Sequence, residues 1–394
     1  MNLVIRPGGM IDSVQVPSSK SYANRALILA SLREEEILLR NMPHATDVTH
    51  LISALQQIGL SITQDKKSLR ISGSFPECET KDQLISVGEG GTTARFLAVL
   101  LLKGKMKYSL KLGNRLKDRP WEEFLRVAND LGAKAELRDD TLTIQGPIHS
   151  EGSIIVDCQR TTQFLTAFQL VFGEEREILS SHLETSQSYV KMTEEMIRVF
   201  RKKTEYDIPL DWSSASYPLA FSVLNAGAEF PGLMYDPFQA DAKIYKILSD
   251  HDALQTTPFG LRSLPLTQNF SLKLDVSDCL DLVPTLAFLL AHIPGTHHLS
   301  GVENLQHKES DRLSECLKVL QIFERKAEVR EGVFIIEGHA QKVSKALDIT
   351  LPDDHRMVMM SALFLRHHCG GSLTPAEAVE KSYPNFFELL GKLR

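Results

Sequence analysis

The sequence has little of what marks disulfide-bonded, zinc-binding or membrane proteins. Its five cysteines are scattered and form no CxxC pair, so we expect reduced thiols rather than disulfides or structural zinc. No apolar run is long enough to cross a bilayer, and the amino-terminal residues lack the long apolar core of a signal peptide. We therefore expect a cytoplasmic protein that does not act at a membrane.

The chain also has no large excess of positive or negative charge. The chain has 44 basic and 50 acidic residues, a net charge of −6, so no overall field attracts nucleic acid. The GxxxxGK[ST] loop of ATP-binding proteins and the GxSxG elbow of hydrolases are absent. The adjacent histidines at 297–298 and 367–368 do not read as chelating pairs. We expect no metal, cofactor or nucleic-acid partner, and any anionic ligand must be held by individually placed lysines and arginines.

What the sequence does contain is a recurring unit, in which a polar loop leads directly into a helix of small and aliphatic residues. The loops begin at Pro17, Gly88, Asp157, Asp211, Asp281 and Asp353. Successive starts are 71, 69, 54, 70 and 72 residues apart, and short strand-like runs lie between them. Coincidence is one explanation; the other is a compact α/β unit that is duplicated within the chain.

The starts of such helices carry unpaired N–H groups and can bind anions. Lys308 and Arg312 are four residues apart on one helical face, where like charges repel unless acidic neighbours or an anionic ligand compensate them. Arg356 lies in a first helical turn, where a cation opposes the helix dipole. A solvated surface pair and an anion site both explain these patterns.

The successive motifs resemble one family. They are SSKSYANRALILASL, GEGGTTARFL, KDRPWEEFLRVANDLGA, TTQFLTA, SSASYPLA, DLVPTLAFLLA, KESDR, DDHRM and KSYPNFF, in this order from residue 17 to 387. Together they resemble the signatures of the 5-enolpyruvylshikimate-3-phosphate (EPSP) synthase family. The resemblance implies an α/β (α+β) fold of two globular halves, residues 1–13 with 211–394 and residues 14–210. Each half would contain three βαβαββ units, with the active site in the cleft between the halves.

The resemblance also implies an activity, the transfer of the enolpyruvyl group of phosphoenolpyruvate to the 5-hydroxyl of shikimate 3-phosphate in aromatic amino-acid biosynthesis. The implied ligands of shikimate 3-phosphate are Lys20, Ser21, Arg25, Thr161, Thr162, Gln163, Ser186, Asp281, Asn304 and Lys308. The implied ligands of phosphoenolpyruvate are Lys20, Gly91, Arg119, Gln163, Arg312, Arg356 and Lys381. Asp281 is our candidate base, with Glu309 and Lys20 as proton-transfer partners. We expect a monomer.

The sequence departs from the family pattern at one position near phosphoenolpyruvate. Glu89 stands where the family usually has asparagine. A carboxylate there would repel the ligand unless it is protonated, turned away, or paired with Arg95 or Arg119.

Other departures concern bulk, charge and length. Thr161 and Thr162 replace a serine pair, and Gln306 replaces a common arginine. The spacing of 54 residues places a deletion between Tyr189 and Asp211, so the third unit should lack a strand or turn.

Three alternatives remain open at this stage. A related enolpyruvyl transferase that uses a UDP-sugar relies on a loop cysteine, and the corresponding segment here, GNRLKDRP, has none. A protein that only binds anions would not need Asp281, Glu309 and Lys20. An RNA-end-processing enzyme with related repeats would need a basic stripe or nucleotide motif, which the sequence lacks.

Overall fold

The computed structural model describes residues 1–80 and 84–391. The chain divides into two compact units, unit 1 (Met1–Pro17 and Leu210–Arg394) and unit 2 (Ser18–Pro209). Residues 14–17 were expected in the half that ends at residue 210, but they group with unit 1, as does Leu210 itself. The reason is local, because the backbone N–H of Val14 donates to the carbonyl of Glu229 across 2.8 Å.

The chain begins in unit 1 with strand β1 (Leu3–Ile5) and then forms unit 2. The helices of unit 2 are α1 (Lys20–Ser31), α2 (Thr46–Gln57), α3 (Gly91–Leu101), α4 (Glu122–Asp130), α5 (Gln163–Phe172) and α6 (Gln187–Phe200). Its strands are β2 (Ile37–Arg40), β3 (Ser61–Asp65), β4 (Ser68–Ser72), β5 (Leu84–Ser86), β6 (Lys107–Lys111), β7 (Lys134–Arg138), β8 (Thr141–Gln145), β9 (Ile154–Asp157), β10 (Ile178–Ser181) and β11 (Glu205–Asp207).

Two sheets of unit 2 have the same construction. Their strand orders are β5-β6-β8-β7 and β11-β2-β4-β3. In each sheet the first two strands are parallel and the remaining pairs are antiparallel. The first sheet, with α3 and α4, forms one continuous βαβαββ unit, whereas β11, at the end of unit 2, supplies the first strand of the second.

The third repeat of unit 2 is shorter. It consists of β9, α5, β10 and α6, and its two strands pair only with each other, in parallel. In the described part of unit 2, α6 ends at Phe200 and the chain enters β11 at Glu205, so the antiparallel hairpin that closes the other two repeats is missing. The deletion that the spacing predicted therefore removes this hairpin.

The rest of the chain completes unit 1. Its helices are α7 (Trp212–Val223), α8 (Lys243–Ser249), α9 (Val283–Leu290), α10 (Arg312–Ile322), α11 (His355–His367) and α12 (Phe386–Leu389). Its further strands are β12 (Ala228–Pro231), β13 (Leu254–Thr257), β14 (Gly260–Ser263), β15 (Lys273–Asp275), β16 (Gly295–Ser300), β17 (Lys326–Arg330), β18 (Val333–Gly338), β19 (Leu347–Thr350) and β20 (Gly371–Thr374). Short 3₁₀ turns are Ala240–Ala242, Leu280–Leu282, Glu303–His307 and Ala376–Lys381.

The sheets of unit 1 repeat the pattern. The order β15-β16-β18-β17 matches the four-stranded sheets of unit 2, and two three-stranded sheets have the orders β12-β14-β13 and β1-β20-β19. Strand β1 pairs antiparallel with β20, Leu3 facing Leu373, which places the amino-terminal strand in unit 1.

Each of the six polar loops leads into a helix, at α1, α3, α5, α7, the turn before α9, and α11. These helices are apolar around most of their circumference, and most of their side chains are buried. Their first turns therefore hold the polar groups, while the bodies of the helices form the core. Among the described residues, no helix is long and apolar enough to span a membrane.

Candidate active site

In unit 2, helix α1 begins with the proposed proton-transfer residue Lys20. Its Nζ lies 2.9 Å from Oδ2 of Asp47, in the first turn of α2. The hydroxyl of Thr93 in α3 donates to the backbone carbonyl of Asp47 across 2.8 Å. Asp47 is therefore held by two other helices and fixes the ammonium group of Lys20, a role that sequence reasoning missed.

Arg25 lies one helical turn further along α1 and is buried. Its Nε donates to Oγ1 of Thr193 across 2.8 Å, its Nη1 to the carbonyl of Ser21 across 3.0 Å, and its Nη2 to the carbonyl of Tyr189 across 3.3 Å. Burial lowers the pKa of Arg25 to about 10, which still leaves it a cation at neutral pH. No ion pair involves Arg25 among the described residues, so the charge is fixed in place by neutral acceptors.

A second cationic group is formed at the starts of α3 and α5. Arg95 donates through Nη1 to Oε1 of Gln163 (2.7 Å) and to Oγ1 of Thr161 (3.5 Å). Burial, and then the charge of Arg119, lower the pKa of Arg95 to about 9. A Cβ atom on Gly91 would lie 3.0 Å from Nη1 of Arg119 and 3.0 Å from Oε1 of Gln163. The structure thus brings together Gly91, Arg119 and Gln163, which were all predicted to bind phosphoenolpyruvate.

Arg119 has two donors that are buried without an acceptor, Nε and Nη2. Unsatisfied donors on a buried cation are costly. A bound anion next to Gly91 would supply the acceptors that the described residues do not.

The predicted hydroxyl ligands lie at helix starts. Thr161 accepts the backbone N–H of Gln163 across 3.2 Å, so its hydroxyl contributes to the cap of α5, and Thr162 is buried beside it. Ser21 lies in the first turn of α1. Ser186 directly precedes α6 in the left-handed conformation, with φ of 55°.

Among the described residues, Glu89 forms no ion pair with Arg95 or Arg119. Its carboxylate accepts the backbone N–H of Arg115, with Oε1 and Oε2 at 3.4 and 3.3 Å, and that of Leu116 at 3.1 Å. Of the arrangements that would spare an anion from repulsion, the structure shows the one in which the carboxylate points at another loop.

In unit 1, Asp281 is shared between two arginines. Its Oδ1 lies 2.6 Å from Nη1 of Arg312, and its Oδ2 lies 2.9 Å from Nη2 of Arg356. Lys308 Nζ is 3.7 Å from Oδ1. Burial alone would raise the pKa of Asp281, but the charges of Arg356, Lys308 and Arg312 outweigh it and hold the pKa well below its usual range.

Arg312 also holds Asp354, a fully buried carboxylate just before α11. Its Nε lies 2.9 Å from Oδ2 and its Nη2 3.3 Å from Oδ1, and Ser310 donates to Oδ2 across 3.0 Å. A surface pair, one of the two explanations for Arg356, would need an exposed acidic neighbour such as Asp354, but both residues are buried. The Asp354 carboxylate accepts the backbone N–H of Arg356 across 3.0 Å, and its charge is matched by Arg312.

Glu309 lies among cations as well. Its Oε2 is 3.0 Å from Nδ1 of His355 and 3.8 Å from Nζ of Lys381. Burial would raise the pKa of Glu309, but the contact with His355, together with the charges of Arg312 and Lys381, holds that pKa well below its usual range. Lys381 is fixed in turn by Asp353, through Oδ2 at 2.9 Å and the carbonyl at 2.8 Å.

Glu309, Asp354 and His355 place three possible metal-ligand atoms within 4.8 Å of one another. Both carboxylates already have cationic partners, Arg312 for Asp354 and Lys381 for Glu309. A metal ion would have to displace those contacts, so we keep the prediction that no metal takes part.

Asn304 belongs to the 3₁₀ turn Glu303–His307, and Lys308 follows it directly in an extended conformation. The prediction that Lys308 and Arg312 share a helical face is therefore wrong, because α10 begins only at Arg312; both side chains nevertheless contact Asp281. Burial lowers the pKa of Lys308. Gln306, which replaces a common arginine, is exposed on the same turn.

Asp241 is an acidic group that sequence reasoning missed. It is 1% exposed, accepts a hydrogen bond from the hydroxyl of Ser213, and leaves Oδ1 buried without a partner. Burial, and then the charge of Asp281, raise the pKa of Asp241 to about 7. Ser213 begins the motif SSASYPLA, but nothing in the QADAK segment around Asp241 indicates a buried acid.

Comparison with known proteins decides the family. A family model described as EPSP synthase (3-phosphoshikimate 1-carboxyvinyltransferase) matches residues 6–390. The chain belongs to the EPSP synthase family. Among relatives in this family, the 3-phosphoshikimate 1-carboxyvinyltransferase of Methanococcoides burtonii is 29% identical over 98% of this chain and 97% of its own length. That of Syntrophobacter fumaroxidans is 30% identical over the whole of both chains.

Solved structures of an EPSP synthase and of another enolpyruvyl transferase have the same fold. EPSP synthase from Acinetobacter baumannii superimposes with a TM-score of 0.79 at 22% identity, over 98% of this chain and 97% of that one. The enolpyruvyl transferase NikO from Streptomyces tendae gives a TM-score of 0.78 at 13% identity, over 100% and 97%. At these identities the likeness concerns the fold alone, and it confirms the predicted α/β class.

Proposed function

We propose that this protein transfers the enolpyruvyl group of phosphoenolpyruvate to the 5-hydroxyl of shikimate 3-phosphate and releases inorganic phosphate, as a step of aromatic amino-acid (chorismate) biosynthesis. Membership of the EPSP synthase family supports the reaction. The observation that carries the assignment of roles is the group of cations around two carboxylates in unit 1, at positions that the family motifs mark. These cations are Lys308, Arg312, Arg356 and Lys381, and His355 contacts the second carboxylate, Glu309.

Phosphoenolpyruvate bears a phosphate and a carboxylate, and both suit guanidinium groups, whose planar donors match two oxygens at once. We assign it to Arg312, Arg356 and Lys381 of unit 1, and to Lys20, Gly91, Arg119 and Gln163 of unit 2. The buried, unsatisfied donors of Arg119 support this assignment.

The contacts of Asp281 suggest how the same anion prepares the base. Arg312 and Arg356 are both engaged by Asp281, and their charges lower its pKa. An anionic substrate that binds these guanidinium groups offsets their charge, so the pKa of Asp281 rises towards the range in which a carboxylate accepts a proton efficiently. The base would then become effective only when phosphoenolpyruvate is bound.

The reaction needs two proton transfers at the addition step. The 5-hydroxyl of shikimate 3-phosphate loses a proton, for which Asp281 is the proposed acceptor, and the methylene carbon of phosphoenolpyruvate gains one. The resulting tetrahedral ketal loses phosphate, and its new methyl group returns a proton to restore the double bond. Glu309 with His355, and Lys20 with Asp47, are the proposed proton-transfer pairs.

We assign shikimate 3-phosphate to hydroxyl, amide and cationic groups of both units. The proposed ligands are Lys20, Ser21, Arg25, Thr161, Thr162, Gln163, Ser186, Asp281, Asn304 and Lys308. Arg25 suits the ring carboxylate because its guanidinium is fixed by neutral acceptors and retains its charge.

The proposal is tested by phosphate release from purified protein given phosphoenolpyruvate with shikimate 3-phosphate, and separately with UDP-N-acetylglucosamine. Release with shikimate 3-phosphate alone is the expected result. Release with the UDP-sugar alone would show that the protein is instead an enolpyruvyl transferase of cell-wall synthesis. Release with neither, despite calorimetric binding of shikimate 3-phosphate, would identify a binding protein that has lost turnover.

A cytoplasmic location and a monomeric state stay predictions. Sedimentation of the purified protein at several concentrations would test the second, since a monomer of 44.1 kDa keeps one sedimentation coefficient as concentration rises.

A further inference from the structure

The loop of residues 113–119 in unit 2 is anchored to the segment that precedes α3. The backbone N–H of Gly113 donates to the carbonyl of Gly88 across 2.9 Å. Both oxygens of the Glu89 carboxylate accept the N–H of Arg115, and one also accepts that of Leu116. Neighbouring N–H groups that converge on one carboxylate form a charge-assisted anchor.

This loop ends at Arg119. Its backbone N–H donates to the carbonyl of Leu116 across 3.3 Å. The guanidinium Nε and Nη2 atoms have no hydrogen-bond acceptor, and no carboxylate forms an ion pair with Arg119 among the described residues. Among the described residues, no side-chain hydrogen bond or ion pair orients this guanidinium, so its position next to Gly91 depends on packing and on the backbone of the loop.

We propose that Glu89 is a positioning residue, whose carboxylate fixes the loop 113–119 so that Arg119 faces the anion bound beside Gly91. The inference rests on the proposed function for the identity of that anion, phosphoenolpyruvate. Glu89 then aids the binding of an anion although it carries a negative charge, because its oxygens point at backbone N–H groups rather than into the site. A Cβ atom on Gly113 would lie only 2.4 Å from the Glu89 carboxylate, so the two segments pack without intervening space.

The chain offers a matched control in Glu79. Its carboxylate also accepts two consecutive backbone N–H groups, those of Lys105 at 3.0 Å and Met106 at 2.8 Å. It accepts the hydroxyl of Tyr108 as well, at 3.0 Å. Glu79 thus anchors a loop in the same way, but that loop carries none of the proposed site residues.

The test compares Glu89→Ala, Glu89→Gln and Glu79→Ala with the unmodified protein in steady-state kinetics. For Glu89→Ala we expect the KM for phosphoenolpyruvate to rise about tenfold, with kcat and the KM for shikimate 3-phosphate within about twofold. Glu89→Gln keeps one accepting oxygen, so its KM for phosphoenolpyruvate should lie between those of Glu89→Ala and the unmodified protein. Glu79→Ala should leave the KM for phosphoenolpyruvate unchanged. An unchanged or lower KM in Glu89→Ala, or an equal rise in Glu79→Ala, would overturn the proposal.

A second readout does not depend on turnover. Amide hydrogen exchange of the peptide covering residues 113–119 should be faster in Glu89→Ala than in the unmodified protein or in Glu79→Ala. Calorimetric titration with inorganic phosphate should show weaker binding in the same variant alone. If the unmodified protein shows no turnover but these differences appear, the proposed reaction fails and the positioning role stands; if exchange and phosphate binding are both unchanged, the positioning role is wrong.

Discussion

Nη1 of Arg312 lies 2.6 Å from Oδ1 of Asp281, while Nε and Nη2 of the same guanidinium hold Asp354. One side chain therefore connects the proposed base to a fully buried carboxylate. Because Asp354 fixes the orientation of the Arg312 guanidinium group, Arg312 can move away from Asp281 only by breaking its buried ion pair with Asp354. The contact between Asp281 and Arg312 must then be weakened by the incoming anion, which binds the guanidinium, rather than by motion of Arg312.

Replacement of the proposed base tests its role. We expect Asp281→Ala to lower phosphate release by about a thousandfold, because no group takes the hydroxyl proton, while shikimate 3-phosphate still binds in calorimetry. Inorganic phosphate should bind at least as tightly as before, since Arg312 and Arg356 lose a competing carboxylate. Asp250→Asn, an exposed residue after α8, is the control. Normal phosphate release by Asp281→Ala would sink the assignment.

Arg312→Lys tests whether one guanidinium group must bind both carboxylates. A lysine cannot bind Asp281 and Asp354 together, and Asp354 would be left buried with a weakened partner. We expect unit 1 to lose about 2–4 kcal/mol of unfolding free energy, measured by urea denaturation. Arg330→Lys is the matched control, because Arg330 pairs with Glu328 at 2.8 Å on the surface and should change stability by about 0.5 kcal/mol or less. Equal effects of the two substitutions would show that the buried contacts of Arg312 are unimportant.

The sequence allowed the repeats to be predicted because their signals are local. Each helix start follows a polar loop within a few residues, and the short spacing of 54 residues corresponds to a hairpin that is missing after α6. The partners of the site residues could not be predicted in this way. Lys20 meets Asp47 and Arg312 meets Asp354 only through packing of separate helices.

Direction of side chains was equally hard to predict. The sequence raised several arrangements for Glu89, and the choice depends on the N–H groups of a loop that begins 24 residues later at Gly113. The buried acid Asp241 gave no sequence signal at all. Local patterns therefore predicted which segments form the site, while tertiary packing decides the protonation and orientation of each group.

Thr193 in α6 offers a test of how Arg25 is positioned. Its hydroxyl accepts from Nε of Arg25 at 2.8 Å and donates to the carbonyl of Tyr189 at 2.9 Å. Thr193→Val keeps the shape but removes this link, so we expect the KM for shikimate 3-phosphate to rise about tenfold or more, as for the loss of one hydrogen bond to a charged group. Thr193→Ser retains the hydroxyl and should behave like the unmodified protein. A similar rise in both variants would point to packing rather than to the hydrogen bond.

Two buried histidines in unit 1 form a hydrogen-bonded chain outside the proposed site. The backbone N–H of Val343 donates to Nδ1 of His368 across 2.9 Å, so neutral His368 carries its proton on Nε2. That proton is donated to Nε2 of His292 across 2.7 Å, and Nδ1 of His292 donates to the carbonyl of Phe288 across 2.6 Å. Each ring uses one nitrogen as an acceptor, which protonation would abolish.

The surroundings of this pair also disfavour protonation. Burial, followed by the charge of neighbouring His367, holds the pKa of His292 well below its usual range, and burial lowers the pKa of His368 to about 3. Arg325 and Lys342 add positive charge around the pair. Both rings are therefore neutral in the folded protein at pH values where the unfolded chain already binds protons.

Stability should therefore fall as the pH is lowered. Below the unfolded pKa of about 6.5 the unfolded chain takes up protons that the folded histidines refuse, so the free energy of unfolding decreases by about 1.4 kcal/mol per pH unit for each such proton. His292→Asn can still donate to Phe288 and accept from His368, and should reduce this slope between pH 6 and 4.5 in urea denaturation. His149 is exposed, and His149→Asn should leave the slope of unfolding free energy against pH unchanged. An unchanged slope in His292→Asn would mean that His292 takes up its proton in the folded protein, and that the acid sensitivity has another source.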